Sequence, residues 1–170
     1  MKKLYSVLLV VALSAAMVLP VIAAPSPKAE AVAPASVVQV AVADANVAVL
    51  ASDVKAEVAS VVSNPTHLTN LGVNTSAKLV SSFDLSYDGE IPAGGVQIPV
   101  KVTNAKAGDY VYLLHRSSVD GHWEVVGQGY LGADLTVTGT FTSFSPVAVL
   151  VVDSANAAAA GVKAPKTGEF

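Results

Sequence analysis

The sequence predicts a mainly β protein: a small antiparallel β-sandwich preceded by one amphipathic helix, with disordered termini. Three observations lead to this prediction. Residues 66–153 contain a series of short apolar stretches with a period of two, separated by turn residues such as Asp88-Gly89 and Asp120-Gly121. Residues 45–63 carry apolar side chains every three or four positions, and the two ends of the chain show neither period.

The N-terminal residues have the organisation of a secretory signal peptide. Two lysines are followed by an apolar stretch over residues 4–19 and then by Pro20 and small residues. This order is the one that export and cleavage require. We expect a signal peptide over residues 1–24, with cleavage as late as Ala31 as a further option. An uncleaved membrane anchor is the alternative, because the apolar stretch approaches the length that spans a bilayer.

Composition and charge argue against some classes of function. The chain has no cysteine, so no disulfide can stabilise it. Its net charge is −3, and the charged residues are scattered along the chain. We expect no nucleic-acid partner, because no basic stripe is present to neutralise a phosphate backbone.

Residues 25–44 are predicted to be a spacer, because they are rich in proline, alanine and valine. The last part of this segment alternates Val38, Val40 and Val42, a pattern that also suits a short strand.

One amphipathic helix is predicted over residues 45–63. Asp44 or Ser52 could cap its start, and Asn64 ends it because the residue before Pro65 avoids helical geometry. Its polar face lacks the lysines and arginines of membrane-binding helices, so we expect it to pack on the domain that follows. The apolar face is formed by Val47, Leu50, Val54, Val58 and Val61.

The first two predicted strands show clear alternation. The inward side chains of residues 96–102 are Val96, Ile98, Val100 and Val102. Pro99 lacks a backbone N–H, which predicts that this strand lies at a sheet edge. Residues 77–87 place five side chains on one side of a half-buried strand: Leu79, Ser81, Phe83, Leu85 and Tyr87.

The remaining strands include a predicted hairpin, in which residues 109–116 and 122–131 flank a turn at Ser117 to Gly121. Leu135, Val137 and Phe141 alternate in the next strand. Residues 146–152 form an uninterrupted apolar stretch, as expected of a strand buried on both faces. Residues 154–170 are alanine-rich. A weak helix could form over residues 155–161, ended by Gly161, but we predict a linker there.

The last residues of the chain carry a recognisable motif. Ala164-Pro165-Lys166-Thr167-Gly168 resembles the sorting signal of Gram-positive wall-anchored surface proteins, whose pattern is Leu-Pro-any-Thr-Gly. In that family a membrane transpeptidase, sortase, cuts between Thr and Gly and joins the Thr carbonyl to peptidoglycan. The resemblance implies sortase and peptidoglycan as partners, and cleavage of the Thr167–Gly168 bond.

The residue types of this motif suit that chemistry. Pro165 fixes an extended, kinked substrate, and Gly168 lets an enzyme approach the scissile bond. Two features depart from the family pattern. Ala164 stands where leucine is usual, which calls for a sortase of relaxed specificity. The family motif precedes an apolar membrane segment and a basic tail, whereas this sequence ends at Phe170, so we expect the complete protein to continue into such a segment.

The β region is similar to small sandwich domains that precede such sorting signals, through "YVYLLHRSSVDGHWEVV" and "TGTFTSFSPVAVL". This resemblance implies an immunoglobulin-like fold and an extracellular location at the cell wall or cell surface. Together with the sorting motif, it predicts a structural or adhesive protein without enzymatic activity, with an extracellular glycan or protein as a further ligand.

The aromatic residues support an alternative function, that of a freely secreted carbohydrate-binding module. The rings that could stack on sugars are those of Trp123, Tyr112, Tyr110 and Tyr130. Trp123 alternates with Val125, however, which favours a position in the core.

The three histidines, His67, His115 and His122, are expected to lie at the surface. No pattern supplies the three convergent ligands that a zinc site needs, so no metal or cofactor is predicted. His115 and Asp120 could be combined with one of many serines into a catalytic triad. No Gly-x-Ser-x-Gly pattern supports this, and no catalytic residue is assigned.

Overall fold

A computed structural model describes residues 38–40 and 42–159 of the chain. The predicted signal peptide, most of the predicted spacer and the sorting motif lie outside these residues. The described part contains eight strands and three helices, in this order: β1 Val38–Val40, β2 Ala45–Ala48, α1 Ser52–Ser63, α2 Pro65–Asn70, β3 Lys78–Tyr87, β4 Val96–Val102, β5 Tyr110–Arg116, β6 Trp123–Tyr130, β7 Thr136–Phe141, β8 Pro146–Val152 and α3 Ser154–Ala159.

The strands form two antiparallel sheets, and the prediction of a mainly β sandwich is confirmed. One sheet has the strand order β1-β4-β7, and the other has the order β2-β3-β8-β5-β6. From β3 onward the strands pair as nested partners, β3 with β8, β4 with β7 and β5 with β6. The segment from β3 to β8 therefore pairs like the two arms of one long hairpin. The pair β4–β7 lies in one sheet, and the pairs β3–β8 and β5–β6 lie in the other.

The core between the sheets is built from the alternating residues of the strands. β4 contributes Ile98, Val100 and Val102, all fully buried as the alternation predicts. The five-stranded sheet faces them mainly with Phe83, Leu85, Val111, Leu113, Val147 and Val149, and β7 adds Val137 and Phe141. Period-two sequence patterning thus identifies the inner face of both sheets.

A second apolar cluster covers the opposite face of the five-stranded sheet. Helices α1 and α2 contribute Val58 and Leu68, which pack with Leu114 of β5 and Leu150 of β8. Strands β5 and β8 are therefore buried on both faces. This explains the uninterrupted apolar sequence of β8, and it confirms that α1 packs on the β domain.

Helix α1 begins at Ser52, so the predicted start at residue 45 is wrong. Residues Ala45–Ala48 form strand β2, in which Val47 lies opposite Leu85 of β3. The Asn46 side chain donates a hydrogen bond to Asp88 Oδ2 over 2.9 Å. Pairing with the edge of β3 overrides the helical period, because it packs the half-buried Val47 against the core between the sheets.

The caps of the helices also differ from the prediction at one end. The N-cap of α1 is Ala51, without a side-chain hydrogen bond, so neither Asp44 nor Ser52 caps this helix. Asn64 ends α1 as predicted and also caps α2, because its Oδ1 accepts hydrogen bonds from the Thr66 and His67 N–H groups. Pro65 occupies the first turn of α2, where its missing N–H has no cost.

The folded domain extends further at both ends than the predicted boundaries. Val38–Val40 lies in the predicted spacer but forms the short strand that its alternation suits, paired with β4. Ser154–Ala159, assigned to the linker, forms the short helix α3. Ala157 is fully buried against the helical face of the sheet. Short apolar segments of weak sequence signal join the fold here because they cover surface that the core strands would otherwise expose.

Two details of the strands overturn expectations. A register shift in β3 between Leu79 and Ser81 leaves Leu79 exposed and packs Val80 against the core. β4 lies in the middle of its sheet, so the edge position inferred from Pro99 is wrong. The described residues of β1 pair with Val100 to Val102, directly after the proline.

Strand β6 of one sheet packs closely against strand β7 of the other. A Cβ atom built on Gly127 of β6 would lie 2.5 Å from the Thr138 carbonyl oxygen and 2.9 Å from the Gly139 Cα. Both are backbone atoms, which cannot move away from the new Cβ as the end of a flexible side chain could. The contact between the two strands therefore requires glycine at position 127.

Replacing Gly127 by alanine should lower the free energy of unfolding by about 1–3 kcal/mol, the usual cost of overpacking. The matched control is Gly129→Ala on the same strand, because its Cβ would meet nothing within 4 Å. Urea unfolding followed by the fluorescence of the single tryptophan measures both variants. Equal stabilities of the two variants would contradict the close approach of β6 and β7.

Candidate functional site

The aromatic residues named for sugar stacking lie on the face of the five-stranded sheet that the helices cover. Tyr110 packs edge-on against Tyr112, with ring centroids 5.0 Å apart, and against Tyr130, at 4.8 Å. All three belong to the cluster beneath α1 and α2. Tyr112 is only 4% exposed, so its ring offers almost no face to an external sugar. The aromatic pattern reflects packing in this part of the domain.

Trp123 lies in the same cluster, at the start of β6. Its indole Nε1 is buried and has no hydrogen-bond partner among the described residues. An unpaired buried N–H costs free energy, which the burial of the large ring offsets. The half-buried Trp123 agrees with the core position that the alternation with Val125 favours, and sugar stacking by this ring stays a prediction.

Burial raises the pKa of the Tyr110 hydroxyl above its ordinary value, and the neighbouring Tyr112 and Tyr130 add to the increase. The phenol therefore remains neutral throughout the physiological pH range. Tyr110 therefore places no charge within the tyrosine cluster at these pH values.

His115 is fully buried, so the expectation of a surface position is wrong for this histidine. Its ring packs edge-on against Phe141, with centroids 5.5 Å apart. His67 and His122 are exposed, as expected. The difference arises because residue 115 falls on the inner face of β5, one alternation beyond the core residue Leu113.

Two polar side chains contact the buried imidazole. His115 Nδ1 lies 3.1 Å from Glu124 Oε1 on the neighbouring strand β6, and Nε2 lies 3.3 Å from Ser145 Oγ, which precedes β8. The order serine, histidine and carboxylate is that of an acyl-transfer triad. Ser145, however, donates its hydroxyl proton to the Arg116 carbonyl oxygen. The Glu124 carboxylate is half exposed, at 49%, whereas the imidazole is sealed in the core. This arrangement fits a structural link between strands.

Asp120 takes no part in that group. It lies in the β5–β6 turn, where its Oδ1 accepts a hydrogen bond from the His122 N–H over 3.1 Å. This bond, with a second from the Ser117 hydroxyl, holds the pKa of Asp120 below its ordinary value. Gly121 follows with a φ of 74°, a conformation that suits glycine in a tight turn.

An ion pair ties helix α1 to the end of β5. Arg116 Nε lies 3.2 Å from Glu57 Oε1, with both side chains partly exposed. The same Nε donates to the Gly121 carbonyl oxygen over 3.4 Å. An exposed pair of this kind contributes at most about 1 kcal/mol, so it orients the hairpin more than it stabilises the fold.

Sequence reasoning considered His115 for a catalytic triad with Asp120, assigned it no role, and did not connect it with Glu124 or Ser145. The hairpin register sets residues 115 and 124 opposite each other, one position away from the pairing of 115 with 123 that the predicted strand ends imply. Ser145 is 30 residues away along the chain and carries no local signal. Within residues 38–40 and 42–159, no group of three or more His, Cys, Asp or Glu side chains is arranged to hold a metal ion.

Comparison with known proteins adds no relative. No protein-family model, curated protein or solved structure matches this chain. Among the helices of the described part, none is long and apolar enough to cross a bilayer.

Tyr112→Ala should lower the free energy of unfolding by about 3–5 kcal/mol, as expected for truncation of a large buried ring. Tyr112→Phe keeps the ring and is the control, with an expected change below about 1.5 kcal/mol. Both values come from urea unfolding. An unchanged stability of Tyr112→Ala, together with loss of sugar binding on a glycan array, would return Tyr112 to the stacking role.

Proposed function

We propose that this chain is an exported structural or adhesive protein of the bacterial cell surface, joined covalently to peptidoglycan by a sortase. The observation that carries the proposal is the spacing Pro165-Lys166-Thr167-Gly168, which follows a folded domain. The signal-peptide pattern over residues 1–24 supports it, because sortase substrates must first be exported.

The position of α3 suits attachment through the C-terminal segment. β8 ends at Val152, and α3 continues the chain to Ala159. Residues 160–163 separate α3 from the motif and, even fully extended, could span only about 14 Å. In an anchored protein, α3 would be the part of the folded domain nearest to the attachment point.

The opposite end of the sandwich would then be presented outward. Tyr110 at the start of β5 lies opposite Val152 at the end of β8, so β5 runs away from α3. The β5–β6 turn at its far end exposes Val119 by 87%, and the exposed Ile91 lies in the β3–β4 connection. In this proposal these loops are the surface available to an extracellular partner.

The proposed role is non-catalytic, and the state of Ser145 supports this. A serine nucleophile gives its proton to the histidine beside it, whereas this hydroxyl donates to a backbone carbonyl. The alternative of a secreted carbohydrate-binding module has less support, because α1 and α2 cover the tyrosine cluster that would have to bind the sugar.

Incubation of the 170-residue chain, which ends at Phe170, with a purified sortase and a triglycine nucleophile tests the proposal. The Thr167–Gly168 amide breaks, the Thr167 carbonyl carbon forms an amide with the triglycine amine, and Gly168-Glu169-Phe170 leaves with a free amine. Mass spectrometry detects both products. Pro165→Ala should abolish the reaction, and Ala164→Leu should accelerate it by about tenfold or more, given the free energy of burying a leucine side chain.

Lys166→Ala is the matched control, because the sorting pattern accepts any residue at that position. It should react at the wild-type rate. A chain that releases no tripeptide, even with Ala164→Leu, is not a sortase substrate, and the proposal then fails.

A further inference from the structure

Four chain connections meet at the end of the sandwich opposite α3. β3 and β5 both finish beside the start of β8, because Asp84 and His115 lie opposite the first two residues of that strand. β2 starts beside the end of β3, and β7 finishes beside the start of β4. We call this end the four-loop surface, and it consists of residues 42–44, 88–95, 117–122 and 142–145.

Contacts between the connections hold this surface in one conformation. The Ser118 N–H donates a hydrogen bond to Ser143 Oγ over 3.3 Å. The rings of Tyr87 and Phe144 stack with their centroids 5.2 Å apart. The N–H of the first residue after β3 donates to the Asp44 carbonyl oxygen over 3.0 Å. Each contact joins a different pair of neighbouring segments, so the surface is formed before a partner arrives, which lowers the entropy lost on binding.

Two large apolar side chains project from the four-loop surface. Val119, in the β5–β6 turn, is 87% exposed, and Ile91, in the β3–β4 connection, is 42% exposed. A single exposed apolar side chain is ordinary, but apolar side chains on neighbouring loops of a preformed surface are typical of protein interaction sites. Their burial against a partner would supply binding free energy.

The charged side chains of the four-loop surface are predominantly acidic. Asp44, Glu90 and Asp120 are exposed, each in a different connection. The four connections contain no lysine or arginine, and His122 is their single basic residue. The electrostatic field of this surface therefore attracts positive charge.

The basic side chains lie elsewhere in the domain. Lys78 is the first residue of β3, and Lys101 is close to the end of β4, so both lie towards the end that carries α3. Arg116 is the last residue of β5, but its Nε pairs with Glu57 of α1 at 3.2 Å. The charge is thus divided along the axis of the sandwich, and the four-loop surface keeps its negative field.

We propose that the four-loop surface binds an extracellular protein or peptide segment in which lysine or arginine side chains stand beside apolar ones. Val119 and Ile91 would pack on the apolar side chains of the partner, and the carboxylates would attract its cations and fix its orientation. A neutral glycan fits this surface less well, because the ring of Tyr87 is already in contact with Phe144 and with Gly89. The outward orientation of the surface rests on the proposed function, whereas its chemistry does not.

Fluorescence anisotropy with three labelled peptides of equal length tests the proposal on the 170-residue chain. The first peptide contains lysine and leucine, the second has glutamate in place of lysine, and the third has serine in place of leucine. The first should bind about tenfold or more tightly than either of the others. Its binding should weaken several-fold when the salt concentration rises from ~0.1 M to ~1 M, because the screening length falls from about 10 Å to about 3 Å.

Substitutions at exposed positions locate the binding site. Val119→Ser should weaken binding of the first peptide by about tenfold, as expected for the loss of a buried valine side chain. Glu90→Gln should weaken it by about threefold, as expected for one exposed charge. The matched controls are Val49→Ser, at a side chain that is 67% exposed outside the four-loop surface, and Asp134→Asn, in the connection between β6 and β7. Both controls should bind as the wild type does.

Three results would overturn the proposal. They are the absence of binding to the lysine and leucine peptide, equal affinity for the peptide with glutamate, and equal effects of Val119→Ser and Val49→Ser. Val119→Ser should still react with a sortase at the wild-type rate, because it lies at the opposite end of the domain from α3. Failure of peptide binding and failure of wall attachment are therefore separate results.

Discussion

The structure depends on the need to cover both faces of the five-stranded sheet. β8 is an uninterrupted apolar stretch in the centre of this sheet, and β5 beside it is buried at five consecutive positions. The three-stranded sheet covers one face, and α1 and α2 cover the other. Each leucine buried in this way contributes about 1.5–3 kcal/mol, so neither layer can be removed without exposing a core surface.

β5 also has a buried polar residue at each end. Asp109, immediately before the strand, accepts hydrogen bonds from the Lys106 N–H and from the Ser154 N–H at the start of α3, both over 3.1 Å. His115 holds the far end through Glu124 and Ser145. Polar groups are tolerated at these buried positions because each one is hydrogen-bonded. Hydrogen bonds are directional, whereas apolar packing is not. The bonds of these two residues therefore hold the chain connections at both ends of β5 in position.

The fold and the proposed function have different physical origins. The sandwich arises from burial, and a fold by itself does not determine a function. The proposed attachment rests on a short peptide whose residue types suit a transpeptidase. The geometry of the domain relates the fold to the proposed attachment. The helix α3 leaves one end of the domain, and the exposed β5–β6 turn lies at the opposite end.

The sequence by itself determined the features that depend on local periodicity. These include strands β3 to β8, the β5–β6 hairpin, the inward faces of β4 and β7, the fully buried character of β8 and the end of α1 at Asn64. The tertiary structure decided the features that depend on distant neighbours. β2 replaced a predicted helical turn because β3 offered it an edge, and β4 became central despite Pro99. His115 became buried because the chain brought Ser145 and Phe141 to it from far along the sequence. Periodicity shows which face of a strand is apolar, but only the assembled fold determines which strand lies against it.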